Sequence, residues 1–336
     1  MELDIFFTGL LVKPFKMVKY DCNRWNVKAM LEYYGCTCAD YILGKQLGFY
    51  FDEKTLSLCP WHMSLDQDIR LCHNISMVRN TIQKTENLLA KVRARLENRE
   101  PTLLYGWTYP LMEAEGGIAA EPFIHDDILH MTIISGYDAN NDTFLLTELK
   151  DVHLSSRFMN WYSSEVLMKA LASQKLAFPN TWFEFHFSDN SFEIDSEACL
   201  RFIKWNHNKI NNENIDSGVC CGLKAIRRFS YELTKLCSLA PETKRQLILS
   251  WYWQLLPVLQ QRLAHYDFMR IASSIVGFNF DDIDELLKTT IKHWILARKF
   301  CYKFGRKHDR RYAEKVKALL ERIAEEELKL FRLLCK

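Results

Sequence analysis

Residues 128–149 read ILHMTIISGYDANNDTFLLTEL. Two runs rich in aliphatic and β-branched residues flank DANND, a cluster of turn formers, so the stretch predicts a β-hairpin. If the turn is Ala139–Asn140–Asn141, Thr132 pairs with Glu148, and His130 and Glu148 become diagonal neighbours on one sheet face. PTLLYGW (101–107) and FPNTWFEFHFS (178–188) read as further strands. Between the first of these and the N-terminus, NTIQKTENLLAKVRARLENRE (80–100) is a charged helix. It carries a stripe of Ile82, Leu88, Leu89, Val92 and Leu96 and ends before Pro101.

Beyond about residue 190 the texture becomes helical. Residues 220–237, 242–275, 280–305 and 310–336 all space their apolar residues by three or four. Pro257 should kink or break the second of these helices. The expectation is an α+β protein: a mixed front domain over 1–188 and a helical C-terminal domain over 189–336.

Composition narrows the function classes. The chain has 336 residues, 48% hydrophobic and 26% charged, with a formal net charge of +2. No global field points to nucleic acid. The apolar run in MELDIFFTGLLVKPF is short and preceded by acids, unlike a signal peptide, and no later run is long enough to span a bilayer. The expected setting is cytoplasmic. The eleven cysteines are scattered and form no C-x-x-C pair. Most read as buried reduced thiols. Cys59, His62, Cys72 and His73 lie close together in sequence, but their spacing fits no zinc pattern, so neither a metal nor a bound cofactor is expected.

One thiol stands apart. Residues 20–35, YDCNRWNVKAMLEYYG, place Trp25, Val27, Met30, Leu31 and Tyr34 at helical spacing and stop at Gly35. Cys22 then sits at the helix N-terminus, where unpaired N–H groups and the positive dipole end favour thiolate. A nucleophilic cysteine needs a base, commonly a histidine distant in sequence and near in space. His130 at the head of its strand is the candidate base, and Glu148 the candidate to orient it. Asp126, Asp127 and Asp138 are alternatives for that third role.

These blocks resemble a family. YDCNRWNVKAMLEYYG followed by ADYILGKQLGFYFDE (39–53) looks like the N-terminal signature of the butirosin-biosynthesis H-type proteins. These are papain-like folds allied to the double-glycine bacteriocin leader peptidases, with relatives in thiotemplated peptide assembly. HMTIISGYDANNDTFLLTEL resembles the family's second block, and DVHLSSRFMNWYSSEVLMKAL (151–171) the stretch after it. The resemblance covers about residues 15–185. It implies an acyltransferase that takes an acyl group from a carrier-protein phosphopantetheine thioester and passes it to an amine, making an amide. Cys22 would hold the acyl group, His130 would move the protons and Glu148 would orient His130. Two departures stand out. The glutamine that papain-like enzymes carry six residues before the cysteine is Lys16 here, leaving the oxyanion donors open between Lys16 and backbone N–H groups. DCN replaces the leader peptidases' DCG. A papain-like protease or amidase, and a non-catalytic binding protein on the same fold, are the rival readings.

Trp107 and Tyr109 alternate with Tyr105 ahead of His130, which suits either an acyl or acceptor pocket or half-buried strand aromatics. ARKFCYKFGRKHDRR (297–311) gathers Arg298, Lys299, Lys303, Arg306, Lys307, Arg310 and Arg311. It reads as a solvated corner between helices or as a dock for an acidic carrier protein. The oligomeric state, including a homo-oligomer, stays open.

Overall fold

The computed structural model describes residues 5–7, 22–58, 69, 75–107, 111, 129–147, 159–172, 179–188, 194–211, 214–216, 218–236 and 241–334; at Cys22, Trp107 and His130 it describes the backbone. The fold is α+β, with antiparallel sheets and a helical C-terminal region. Among the described residues no helix is long and apolar enough to cross a membrane. The chain divides into two compact units, Met1–Ala39 with Ile69–Phe192, and Asp40–Asp68 with Glu193–Lys336.

The first unit is built on a seven-stranded antiparallel sheet. Its strands are β1 (Ile5–Phe7), β4 (Ile75–Thr81), β5 (Thr102–Trp107), β6 (Leu129–Asp138), β7 (Thr143–Thr147), β8 (Met159–Ser163) and β9 (Thr181–Phe187). The order is β4-β9-β5-β6-β7-β8, with β1 also pairing β6. Helices α1 (Cys22–Tyr33), α3 (Thr85–Glu97) and α4 (Ser164–Leu171) complete it. The apolar stripe of α3 packs with α4 against the sheet: Leu88, Leu89, Val92 and Leu96 meet Leu104, Ile134, Phe144, Leu146, Leu167 and Leu171. Ile82, expected on that helix, lies ahead of it, after β4. Residues 80 and 81, also expected in the helix, close β4, where Asn80 pairs with Trp182 and Thr81 with Thr181.

The predicted hairpin forms, with a different turn. Asp138 pairs with Thr143, so the loop is four residues, Ala139–Asp142. One extra residue is absorbed by a bulge between Ile134 and Gly136, and beyond it Ile133 pairs with Thr147. That is the register a three-residue turn would have set. Local turn chemistry decided the loop: Asp138 accepts from the Asn140 N–H (2.9 Å) and the Asn141 side chain (2.7 Å). Asp142 accepts from Arg93 (2.7 Å) and Tyr137 (3.1 Å).

The second unit comprises β2 (Tyr50–Asp52), β3 (Ser57–Leu58), β10 (Asn214–Asp216) and β11 (Val219–Cys221), in the order β10-β11-β2-β3. Its long helices are α5 (Ser196–Asn211), α6 (Gly222–Lys235), α7 (Pro241–Val276), α8 (Asp281–Lys307) and α9 (Arg310–Leu334). The short α2 (Ala39–Gly44) runs across the boundary in sequence. Residues 40–68 belong with the helices because β2 pairs with β11, Cys220 opposite Phe51. Phe49, Phe51, Phe229, Trp251, Trp294 and Phe304 form the centre of this core. Burial of several aromatics, each worth about 1.5–3 kcal/mol, outweighs the weak pairing of two- and three-residue strands. Helix α7 continues through Pro257, where a break was expected. The proline has no N–H to give the helix, and one turn earlier the Tyr252 carbonyl takes a hydrogen bond from Arg298 Nε at 3.1 Å.

Candidate functional site

Helix α1 begins at Cys22. Its first turn is clasped to β6 by two asparagine side chains. Asn23 Oδ1 accepts from the Met131 N–H at 3.0 Å, and Asn26 Nδ2 donates to the Met131 carbonyl. Together they do for Met131 what a neighbouring strand residue would do: one amide oxygen takes the N–H and one amide nitrogen serves the C=O. Asn26 and Met131 are buried, at 0% and 1% exposure, and Asn23 is half-buried. Cys22 is the residue before Asn23, and His130 the residue before Met131. The backbone therefore brings together the thiol-bearing and imidazole-bearing positions that are 108 residues apart in sequence, as Asn23 and Met131 are.

The helix is held here by sequence. Trp25, Val27, Met30 and Leu31 are all buried, at 6%, 0%, 1% and 0% exposure, so the apolar face fixes the docking while the asparagines fix the register. Asn23 and Asn26 are site-building residues that reading for nucleophiles and bases missed. The available signal was two asparagines spaced by three in the first turn of a helix, a residue type that helix interiors disfavour and that prefers to bond backbone.

His130 pairs with Gly106 of β5, and Leu129 with Trp107. Trp107 thus sits beside the head of β6 in backbone register. Asp138, an alternative third member, closes the other end of β6. At about 3.3 Å per residue it stands roughly 25 Å along the strand from His130. Its carboxyl is held below the usual range by the Asn141 side chain and the Asn140 N–H, so it is a turn residue. Glu148, Asp126, Asp127, Lys16 and Tyr109, together with Cys59, His62, Cys72 and His73, lie outside the described residues.

The basic corner divides into spent and unspent cations. Arg298 stacks on Tyr252 at 4.0 Å from the ring centroid and donates to its carbonyl; burial lowers its pKa. Arg310 pairs with Glu314 at 3.1 Å and Arg311 with Asp309 at 2.7 Å. Lys299, Arg306 and Lys307 are exposed and Lys303 is half-buried. Lys303, Lys307 and Lys315 surround the stacked Phe300 and Tyr312 rings, with ammonium-to-centroid distances of 5.3–6.0 Å. Lys315 of α9 joins the group that sequence assigned to one helix and its loop. Among the described residues none of these four lysines or Arg306 has a carboxylate within ion-pair distance.

Set beside known proteins, the sequence matches no family model and no curated protein.

Proposed function

We propose that Cys22 and His130 are the nucleophile and base of a papain-like cysteine acyltransferase. It accepts an acyl group from the phosphopantetheine thioester of a carrier protein and delivers it to an amine, forming an amide. The single observation that supports the reading is the asparagine clasp, which ties the residue after a helix-opening cysteine to the residue after a strand-heading histidine. This is the pairing that activates a thiol, because the helix end favours thiolate and the imidazole receives its proton.

In the first step His130 takes the Cys22 proton and Sγ attacks the thioester carbonyl. The carbonyl–sulfur bond to phosphopantetheine breaks, and His130 returns the proton to that leaving thiol. In the second step the amine attacks the new thioester, His130 takes its proton, and Cys22 leaves as thiol. Thioester exchange is nearly isoenergetic, and amide formation drives the second step forward. Water must be kept out for transfer to win over hydrolysis. The unpaired cations on α8 and α9 suit an acidic carrier, with attraction screened over about 8 Å at physiological ionic strength.

The test is incubation with an acyl-loaded carrier followed by peptide mass analysis. The acyl mass should appear on the peptide carrying Cys22, and Cys22→Ala should abolish both adduct and product. Acylation spread across several cysteines, or unchanged in Cys22→Ala, would overturn the assignment.

A further inference from the structure

Past the far end of α1 lies a pair of sulfur atoms, unconnected with the proposed transfer. Helix α1 closes with Gly35 in the left-handed region at φ +86°. The Gly35 N–H donates to Glu32 (3.0 Å) and the Cys36 N–H to Leu31 (2.9 Å). The second bond spans five residues and marks a Schellman stop, which fixes the backbone at Cys36 rigidly. Only glycine takes that φ without cost, so the turn is set by sequence. Cys36 is buried at 1% exposure, Thr37 is exposed and Cys38 is half-buried. The two sulfurs lie 3.5 Å apart.

We propose that Cys36 and Cys38 are an oxidation site: a dithiol that hydrogen peroxide converts to an intramolecular disulfide, with Cys38 the attacking thiol and Cys36 the resolving one. The exposure difference assigns the roles. Cys38 is reachable by a small oxidant, while Cys36 is sheltered and already in contact with it. In the first step Cys38 thiolate attacks one peroxide oxygen and the O–O bond breaks. The departing hydroxide takes a proton and leaves as water, and Cys38 becomes a sulfenic acid. In the second step Cys36 Sγ attacks Cys38 Sγ and the S–O bond breaks. Hydroxide leaves with the Cys36 proton as a second water. Two thiols are oxidised by two electrons and one peroxide is reduced to two waters. The sulfurs need to close from 3.5 Å to the covalent distance of about 2.05 Å, a shift that rotation of the half-buried Cys38 side chain supplies. The resulting small ring encloses Thr37 directly before the chain passes from one compact unit to the other, between Ala39 and Asp40.

The full-length protein is exposed to hydrogen peroxide, alkylated under denaturing conditions and digested with trypsin. Residues 29–45 form one tryptic peptide carrying both cysteines. It should lose two hydrogens and take up no alkylating agent, and dithiothreitol should restore both alkylation sites. Cys38→Ser should abolish this product. In Cys36→Ser, lacking the resolving thiol, Cys38 should advance to sulfinic acid. Cys22→Ala should leave disulfide formation unchanged, so failure of the transfer reading would not disturb this one. The proposal is overturned if wild-type Cys38 ends as sulfinic acid with Cys36 reduced. It is equally overturned if both cysteines stay alkylatable, or if either bridges to a different cysteine.

Discussion

In the sheet-bearing unit, Asn23 and Asn26 commit their amides to one backbone residue of β6. In the helical unit, Arg262 and Glu327 commit their charges to each other. They pair at 3.0 Å, with Trp294 donating to the same carboxylate and Arg262 also reaching the Gly48 carbonyl. Both clusters are polar, and each has a wholly buried part. The first positions the residues that follow Cys22, which opens α1, and His130, which stands at the head of β6. The second is closed: guanidinium, carboxylate and indole satisfy one another, and nothing is left over for a substrate. Buried polarity by itself does not mark a site; what marks one is polarity spent on positioning something else.

The largest expected effect is on turnover. His130→Ala should reduce it by about 10²–10⁴-fold, the range that a positioned base contributes. A loss under tenfold, measured with saturating acyl carrier, would remove His130 from the pair and leave the clasp as a packing feature. The closed cluster should answer in stability. Glu327→Leu strands the Arg262 charge, with Arg262 and Glu327 only 4% and 3% exposed, and should cost about 3–5 kcal/mol in urea unfolding. Arg262→Leu with Glu327→Leu should recover much of that cost. Acylation of Cys22 per folded molecule should not move in either variant. If it does, the contrast between the two clusters fails.

His265 sharpens the contrast by pH. It is wholly buried, with Nδ1 2.9 Å from the Gly44 carbonyl, and burial drives its pKa down to about 4. The unfolded chain binds the proton near pH 6.5 and the folded chain does not until about pH 4. The stabilisation is therefore full above about 6.5 and is lost as pH falls towards 4, amounting to about 3 kcal/mol. His265→Gln should flatten that part of the stability profile; an unchanged slope would mean another group titrates there. The smallest effect belongs to the clasp. Asn26→Ala should cost about 1–3 kcal/mol by leaving the Met131 carbonyl without its donor. Its signature is a loss of turnover exceeding the loss of folded protein, whereas equal losses would make the asparagine structural only.

Much of this was legible in the sequence where periodicity ran long enough. The helix ending at Gly35, the hairpin after His130 and the helical region past residue 190 all announce themselves. Strand β4 did not, because ISMVRNT breaks the alternation of a strand, with Val78 beside Met77 and three polar residues in a row at 79–81, and its polar end runs on into the charged sequence of α3. The three-residue strands β2 and β11 are too short to show a period, and only their pairing across the chain reveals them. The clasp was hidden for another reason: Asn23 and Asn26 act on a backbone amide and carbonyl, which have no letter in the sequence. The spent and unspent cations near α8 were likewise inseparable until Tyr252 and Glu314 came beside them.

The bulge between Ile134 and Gly136 gives the hairpin something like the slack in a tape measure. A strand pair without it would translate every gain or loss at the distal tip into a one-step slip along its whole length, turning each side chain to the opposite face. Here the spare residue sits between the tip and the half of β6 that meets α1. A chain one residue shorter at 139–142 would consume the bulge and keep Ile133 opposite Thr147, so the tip can drift in length while the end that matters stays indexed.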